Sequence, residues 1–292
     1  MTRRASPLWR SLLYVPANRP RFIDKAHSRG ADAVILDLED SVPARERDAA
    51  RAALPASIEQ AGASGADVLV RVNSTGGDLE SDLSALASCL PRALILPKVE
   101  CAEQVARVDG WLAMHEVGEG VGLFALIETA RGLRNVDAIA RCNPRLLAIT
   151  LGGEDFAADV GMEVLPETLD LPRQIVLHAA RAAGLIALGL MGSIADFSDL
   201  DAVDQVARRS RRFGFEGASC LHPSVVPILN RAFSPSESEV RRAQRIVDAY
   251  EEACARGVGS IIVDGRMVDV PIAQRARMLL TRHARITEHA AR

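Results

Sequence analysis

Two carboxylates in this chain stand at the ends of short apolar runs. Residues 123–127 lead straight into Glu128, and residues 146–151 lead through Gly152 and Gly153 into Glu154 and Asp155. Apolar runs of this length suit buried strands. The stretch between them, residues 133–142, has the length of a helix and is closed by Asn143 and Pro144. Such a strand–helix–strand unit runs its strands parallel, which brings Glu128 and Asp155 to the same carboxyl-terminal edge. Adjacent carboxylates repel unless a cation or a shared proton relieves them. A hard divalent ion held by one or two carboxylates plus substrate is the usual magnesium arrangement. Glu128 and Asp155 are therefore candidate Mg2+ ligands. The competing reading is that each acid caps the helix that follows it.

Further apolar runs occur at residues 12–15, 33–36, 67–72, 93–96, 185–191 and 217–221, with helical stretches between them and no internal repeat. Strands alternating with helices imply a parallel sheet. Eight such units fit a (β/α)8 TIM barrel, which typically takes about 250 residues. A doubly wound open sheet is the alternative, but its nucleotide-binding form carries a glycine-rich loop after the first strand. Here that loop is PANRP (16–20), without glycine. Residues 1–233 are thus read as the catalytic barrel, and residues 234–292 as an extension of helix, hairpin and helix. The hairpin turns at Asp264-Gly265, a strong turn signal. An extension of this kind is expected to form a lid over a neighbouring subunit.

Barrel enzymes place their chemistry at the carboxyl ends of the strands. Those ends supply Asn18 and Arg19, Asp37, Glu39 and Asp40, Arg71 and Asn73, Lys98, Glu128, Asp155, Ser193 and His222, with Asp196 and Asp199 following strand seven. Residues chosen only to cap helices would be mostly Ser, Thr, Asp and Asn, so Arg71, Lys98 and Glu128 call for another explanation. The planar fork of Arg71 suits a substrate carboxylate or a developing oxyanion. A metal-held 2-oxo acid beside it would be strongly polarised, which points to making or breaking a carbon–carbon bond next to a carbonyl. Asn18, Arg19 and Lys98 are further candidate substrate-binding residues. Lys98 could instead form a Schiff base or pair with an acid such as Glu39; the carboxylate pair favours the ion pair. Glu39 and Asp40 are candidate catalytic acids that orient metal-held waters or the Arg and Lys side chains. His222, before Pro223, is a proton carrier or, as we prefer, a structural histidine.

Composition excludes several classes. With 35 Lys and Arg against 38 Asp and Glu, the net charge is -3, and no nucleic-acid footprint is expected. Arg208, Arg209, Arg211 and Arg212 form the one dense basic cluster; it reads as a solvated helix end, or as a site for a phosphorylated cofactor. The five cysteines lack metal spacing and read as thiols of a reducing compartment. No apolar run approaches the roughly 20 residues of a membrane helix. Arg3, Arg4 and Arg10 precede an apolar piece too short for a signal-peptide core. A cytoplasmic protein without membrane partners is expected.

Nine segments carry a resemblance: RSLLYVPANRP (10–20), ADAVILDLEDSV (31–42), VRVN (70–73), LPKVE (96–100), LIETARG (126–132), GGEDF (152–156), LHP (221–223), FSPSE (233–237) and VDGRM (263–267). In this order they resemble the citrate lyase beta-subunit and malyl-CoA or citramalyl-CoA lyase group of the HpcH/HpaI aldolases. The resemblance implies a (β/α)8 barrel, Mg2+ on Glu128 and Asp155, Arg71 on the oxo-acid end of the substrate, and homotrimers or hexamers. It also implies that Asp264, a turn residue by local pattern, is a catalytic acid/base reaching a neighbouring subunit's mouth. Residues 189–196 depart from the threonine-rich run usual in the group. The full tail with Asp264 favours a CoA thioester over an acyl-carrier-protein substrate. The implied reaction is Mg-dependent cleavage of a 3-hydroxyacyl-CoA of malyl-CoA or citramalyl-CoA type to an oxo acid and an acyl-CoA. A thioesterase acting on the same substrates and a non-catalytic binding or scaffold subunit are the alternatives.

Overall fold

The computed structural model describes residues 7–74, 76–87, 89–115, 120–193 and 198–290; Arg3, Arg4 and Asp196 lie outside them. Eight strands form one parallel sheet: β1 (Ser11–Pro16), β2 (Ala33–Asp37), β3 (Asp67–Arg71), β4 (Ala93–Leu96), β5 (Gly122–Ile127), β6 (Leu146–Leu151), β7 (Ile186–Ala187) and β8 (Ala218–Cys220). Their order is β7-β6-β5-β4-β3-β2-β1-β8. A parallel bridge between Leu188 and Gly217 joins the two edges, with Gly189 N donating to Gly217 O at 2.9 Å and Glu216 N to Ala187 O at 2.9 Å. The sheet thus closes on itself as a barrel of the TIM type. Closure depends on Gly217: a Cβ there would lie 1.8 Å from the Trp9 carbonyl oxygen.

Strand side chains alternate in direction with a period of two. The interior cluster takes Ala33 and Ile35 from β2, Leu69 from β3, Ala93 and Ile95 from β4, and Phe124 and Leu126 from β5. Continuing the β2, β3 and β5 columns by two residues reaches Asp37, Arg71 and Glu128. The inward face is apolar through the core and turns polar at the carboxyl end, so the site follows directly from strand alternation. Alternate residues such as Val34, Leu36 and Leu94 are equally buried, as strands covered on both faces require.

Two local expectations change. The helix Pro166–Ala183 runs through Pro172, a residue whose missing N–H would ordinarily end or kink it. Leu169, Arg173, Val176 and Leu177 are buried along its inner face, and this burial sustains the helix past the hydrogen bond that proline removes. The run 185–191 contributes only Ile186 and Ala187 as strand. Leu190 and Met191 are buried without sheet pairing, because an apolar run reports burial and not hydrogen-bond partners.

The chain divides into two compact units after Asn230. The second contains the helices Glu237–Ala255 and Val270–Ala290 and a hairpin of β9 (Ile261–Val263) and β10 (Arg266–Val268). Ser236 and Glu239 form a capping box on the first helix. Ile246, Val247, Tyr250, Val268 and Ala273 make this unit's own core. No helix among the described residues is long and apolar enough to cross a membrane.

Candidate active site

The mouth of the barrel is a cavity of about 390 Å³, walled by Tyr14, Asp37, Arg71, Glu128, Asp155 and Arg173 among others. Glu128 is buried, 3% exposed. Its Oε2 accepts the Lys98 backbone N–H at 2.7 Å. Lys98 adopts φ +51°, one of two non-glycine residues with positive φ among those described, and such a conformation is costly for a residue with a Cβ. It turns the Lys98 amide onto the Glu128 carboxylate. On the other side the chain comes as close as it can: a Cβ on Gly152 would lie 2.5 Å from Glu128 Cγ and 2.6 Å from Oε1. Burial pushes the Glu128 carboxyl up to about 7, and Asp155 and Glu39 add to the rise against the Lys98 hydrogen bond.

Arg71 is held by three acids. Register makes Asp37 and Arg71 Cα partners on β2 and β3, and Arg71 Nε and Nη2 grip the Asp37 carboxylate at 2.6 and 2.8 Å. Nη1 donates to Asp40 Oδ2 at 3.2 Å and lies 3.0 Å from Glu39 Oε2. Its guanidinium also sits 5.1 Å from the Tyr14 ring centroid, a cation–π distance. Burial pushes Asp37 up, yet the Arg71 and Ser41 hydrogen bonds outweigh it and hold the carboxyl below its usual range. The Lys98 ammonium pairs with Glu39 Oε1 at 2.8 Å. Glu39, buried between two cations, still has its carboxyl raised by desolvation.

The donor set fits magnesium. Glu128 directly follows β5, half-buried Asp155 sits in the first turn of the helix Gly153–Val160 that follows β6, and both line one cavity. Among the described residues no group of three or more His, Cys, Asp or Glu is arranged to hold a metal, so the protein offers two carboxylates, leaving the remaining positions to water and substrate as Mg2+ prefers. A buried carboxylate beside a second one is unfavourable alone and stabilised by a divalent cation.

Other candidates lie elsewhere. Asn18 Nδ2 donates to Glu46 at 2.5 Å, and Arg19 is exposed. Asn73 is buried against Asp82 and the Leu38 carbonyl. His222 Nδ1 meets Ser224 Oγ at 2.7 Å at the start of the turn Pro223–Val225. Ser193 is the exception: it lines the cavity, where its Oγ donates to Glu154 at 2.7 Å; Asp199 caps the helix Leu200–Phe213. In the basic cluster Arg208 pairs with Asp204 at 2.6 Å and Arg209 with Asp170. All five cysteines are free. Asp264 belongs to the second unit; it turns the hairpin at φ +50° and pairs with Arg245 at 2.8 Å, which holds its carboxyl below the usual range. Sequence reasoning overlooked Tyr14 and Arg173. Tyr14 stands two residues beyond Leu12 on the inward column of β1, which was a usable signal; Arg173 gave none, because its position depends on how its helix packs.

A family model described as HpcH/HpaI aldolase/citrate lyase matches residues 10–223. The chain belongs to the HpcH/HpaI aldolase/citrate lyase family. Among its relatives, the mitochondrial citramalyl-CoA lyase of Homo sapiens is 32% identical over 296 residues, covering 96% of this chain and 86% of the relative. The (3S)-malyl-CoA thioesterase of Cereibacter sphaeroides is 35% identical over 274 residues, 92% of each chain. The protein CitE of Mycobacterium tuberculosis, solved with magnesium, acetoacetate and coenzyme A, aligns with a TM-score of 0.79 at 31% identity, covering 97% of this chain and 100% of that one.

Proposed function

We propose that this family member is a magnesium-dependent carbon–carbon lyase that cleaves a 3-hydroxyacyl-CoA of malyl-CoA or citramalyl-CoA type. The observation that carries the reading is the Glu128–Asp155 pair in one cavity, with Gly152 shaped to the Glu128 carboxylate, in a chain similar to a protein solved with magnesium and coenzyme A. Glu128 and Asp155 would hold Mg2+, which when bound supplies a Lewis acid for the substrate hydroxyl and its adjacent carboxylate. Arg71, kept charged by Asp37, Glu39 and Asp40, faces the negative charge that develops on cleavage. Glu39 and Asp40 hold Arg71 and Lys98 in place, and in this reading Asp40 takes the hydroxyl proton. As the C2–C3 bond breaks, its electron pair passes to the thioester enolate, the hydroxyl carbon becomes the carbonyl of the oxo acid, and a proton must reach the enolate carbon.

We assign that last proton to Asp264 of a neighbouring copy, with residues 234–292 acting as a lid in a homotrimer or hexamer of a cytoplasmic enzyme. Arg245 keeps Asp264 ionised, ready as a base in the condensation direction; in cleavage it relays a proton from solvent. The test is an assay of the purified protein with Mg2+ and malyl-CoA, citramalyl-CoA or citryl-CoA, following products by mass. Oxo acid together with intact acyl-CoA is expected. A thioesterase is the second reading, favoured by the 35% identity to a malyl-CoA thioesterase; free CoA without accumulating acyl-CoA would establish it. Glu128→Ala should lose Mg2+ binding and turnover while remaining folded, and unchanged turnover would refute the metal assignment.

A further inference from the structure

The side-chain donors around the mouth are mostly spent on the protein itself. Asp37, Glu39 and Asp40 surround the Arg71 guanidinium, which leaves it to act on a substrate chiefly through its charge. Ser41 Oγ donates to Asp37, Thr150 Oγ1 to the Leu188 carbonyl at 2.7 Å and Ser193 Oγ to Glu154. Arg173 Nη2 donates to the Gly192 carbonyl at 2.8 Å, and its unpaired Nη1 is closed off from solvent. Of the hydroxyls that line the cavity, those of Tyr14 and Ser219 have no hydrogen-bond partner among the described residues. Tyr14 is the one beside Arg71, its ring centroid 5.1 Å from the guanidinium carbon. It also keeps its proton. Burial raises the phenol above its ordinary value against the pull of Arg71, and Asp37, Glu128 and Glu39 add to the rise.

Depth says which part of the substrate meets this neutral donor. Tyr14 is the Cα partner of Ile35, whereas Asp37 pairs with Pro16, two residues further along β1. Tyr14 therefore belongs to the layer beneath Asp37 and, with Phe124 and Leu126, floors the cavity. A coenzyme A chain is too long for the cavity and has to leave through the mouth. The thioester end thus lies outward, and the oxo-acid half reaches the floor. There its carboxylate gives up water beside apolar side chains, and a carboxylate oxygen buried without a donor is costly.

We propose that the Tyr14 hydroxyl donates a hydrogen bond to the carboxylate on the oxo-acid half of the substrate and so fixes how that half seats. This rests on the lyase reading above, which supplies the substrate and its two halves. The bond is present before and during cleavage alike, so it contributes binding and not rate.

The experiment is a calorimetric titration of Mg2+-loaded wild type and Tyr14→Phe with pyruvate, with glyoxylate and, separately, with acetyl-CoA. Tyr14→Phe keeps the ring against Arg71 and removes only the hydroxyl. It should weaken whichever oxo acid the wild type binds more tightly by about tenfold to a hundredfold, as loss of a hydrogen bond to a charged group implies. Mg2+ and acetyl-CoA affinities should stay within about twofold. In turnover, KM should rise by a like factor while kcat holds within about twofold. A second readout uses the wild type alone. The chain has two tyrosines, Tyr14 and Tyr250, so with isotopically labelled tyrosine the oxo acid should shift the Tyr14 resonance and leave that of Tyr250 in place. Unchanged oxo-acid affinity, an equal loss of Mg2+ affinity, a fall in kcat at constant KM, or an unmoved Tyr14 resonance would overturn the assignment. A wild type that binds no Mg2+, or binds Mg2+ but neither oxo acid, would instead overturn the lyase reading itself and the assignment with it.

Discussion

At the scale of single residues, Glu128 concentrates the tension in the site. Its carboxyl, ordinarily near 4.5, is raised to about 7 by burial, so the folded protein holds that proton more tightly than the unfolded chain does. The stability this contributes is fully present below the ordinary value and is lost as pH rises through about 7. Metal-free Glu128→Gln should therefore exceed metal-free wild type by about 3 kcal/mol at a pH of about 8 and match it near a pH of about 4; urea unfolding at the two pH values reads this. The same proton competes with metal. Mg2+ affinity should fall about tenfold per pH unit below about 7 and level off above it, with proton release on binding, measurable by calorimetry in buffers of different ionisation enthalpy. Gly152→Ala tests the shape of the site: the added Cβ meets Glu128 Cγ at 2.5 Å. Displacing the carboxylate should weaken Mg2+ more than about tenfold while thermal unfolding moves little.

At the scale of elements, sheet register decides the chemistry. Asp37 and Arg71 are 34 residues apart in sequence and become Cα partners because β2 and β3 pair from Ala33 with Asp67 through to the strand ends. A slip of one residue would send both side chains to the opposite face. Asp37→Asn would leave Arg71 buried with its two-pronged partner neutralised, and breaking a buried pair this way costs about 3 kcal/mol. Denaturant unfolding should show that loss, and turnover should fall with it; unaltered stability would mean that Glu39 and Asp40 alone suffice to hold the fork. The Lys98 turn works at the same scale. It lies between β4 and the helix Ala102–Met114, and its positive φ presents an amide to a carboxylate from the next strand.

At the scale of the whole molecule, the barrel and the second unit divide the proposed labour. The barrel unit holds Glu128, Asp155 and Arg71, whereas Asp264 belongs to the hairpin unit. Under the lid proposal the two halves of one site come from different copies. Glu128→Gln and Asp264→Asn should each be nearly inactive alone, and activity should return when the two are unfolded, mixed and reassembled together, because some mouths then combine an intact barrel with an intact lid. Mixing that restores nothing, although each variant assembles as the wild type does, would mean that Asp264 does not act across copies.

The sequence by itself determined the strand–helix alternation, and with it the barrel, because hydrophobic period is a local property. It also placed Asp37, Arg71, Lys98, Glu128 and Asp155 at strand ends, and marked Arg71, Lys98 and Glu128 as types that capping does not explain. Local pattern could not say which of these touch. The grip of Arg71 on Asp37, the Lys98–Glu39 pair and the fit of Gly152 to Glu128 depend on register between strands far apart in the chain. Arg173 was illegible for a related reason. Nothing near Pro172 marks it, and only the packing of its helix against the barrel decides that this arginine, among so many, is buried in the cavity wall with a donor unpaired.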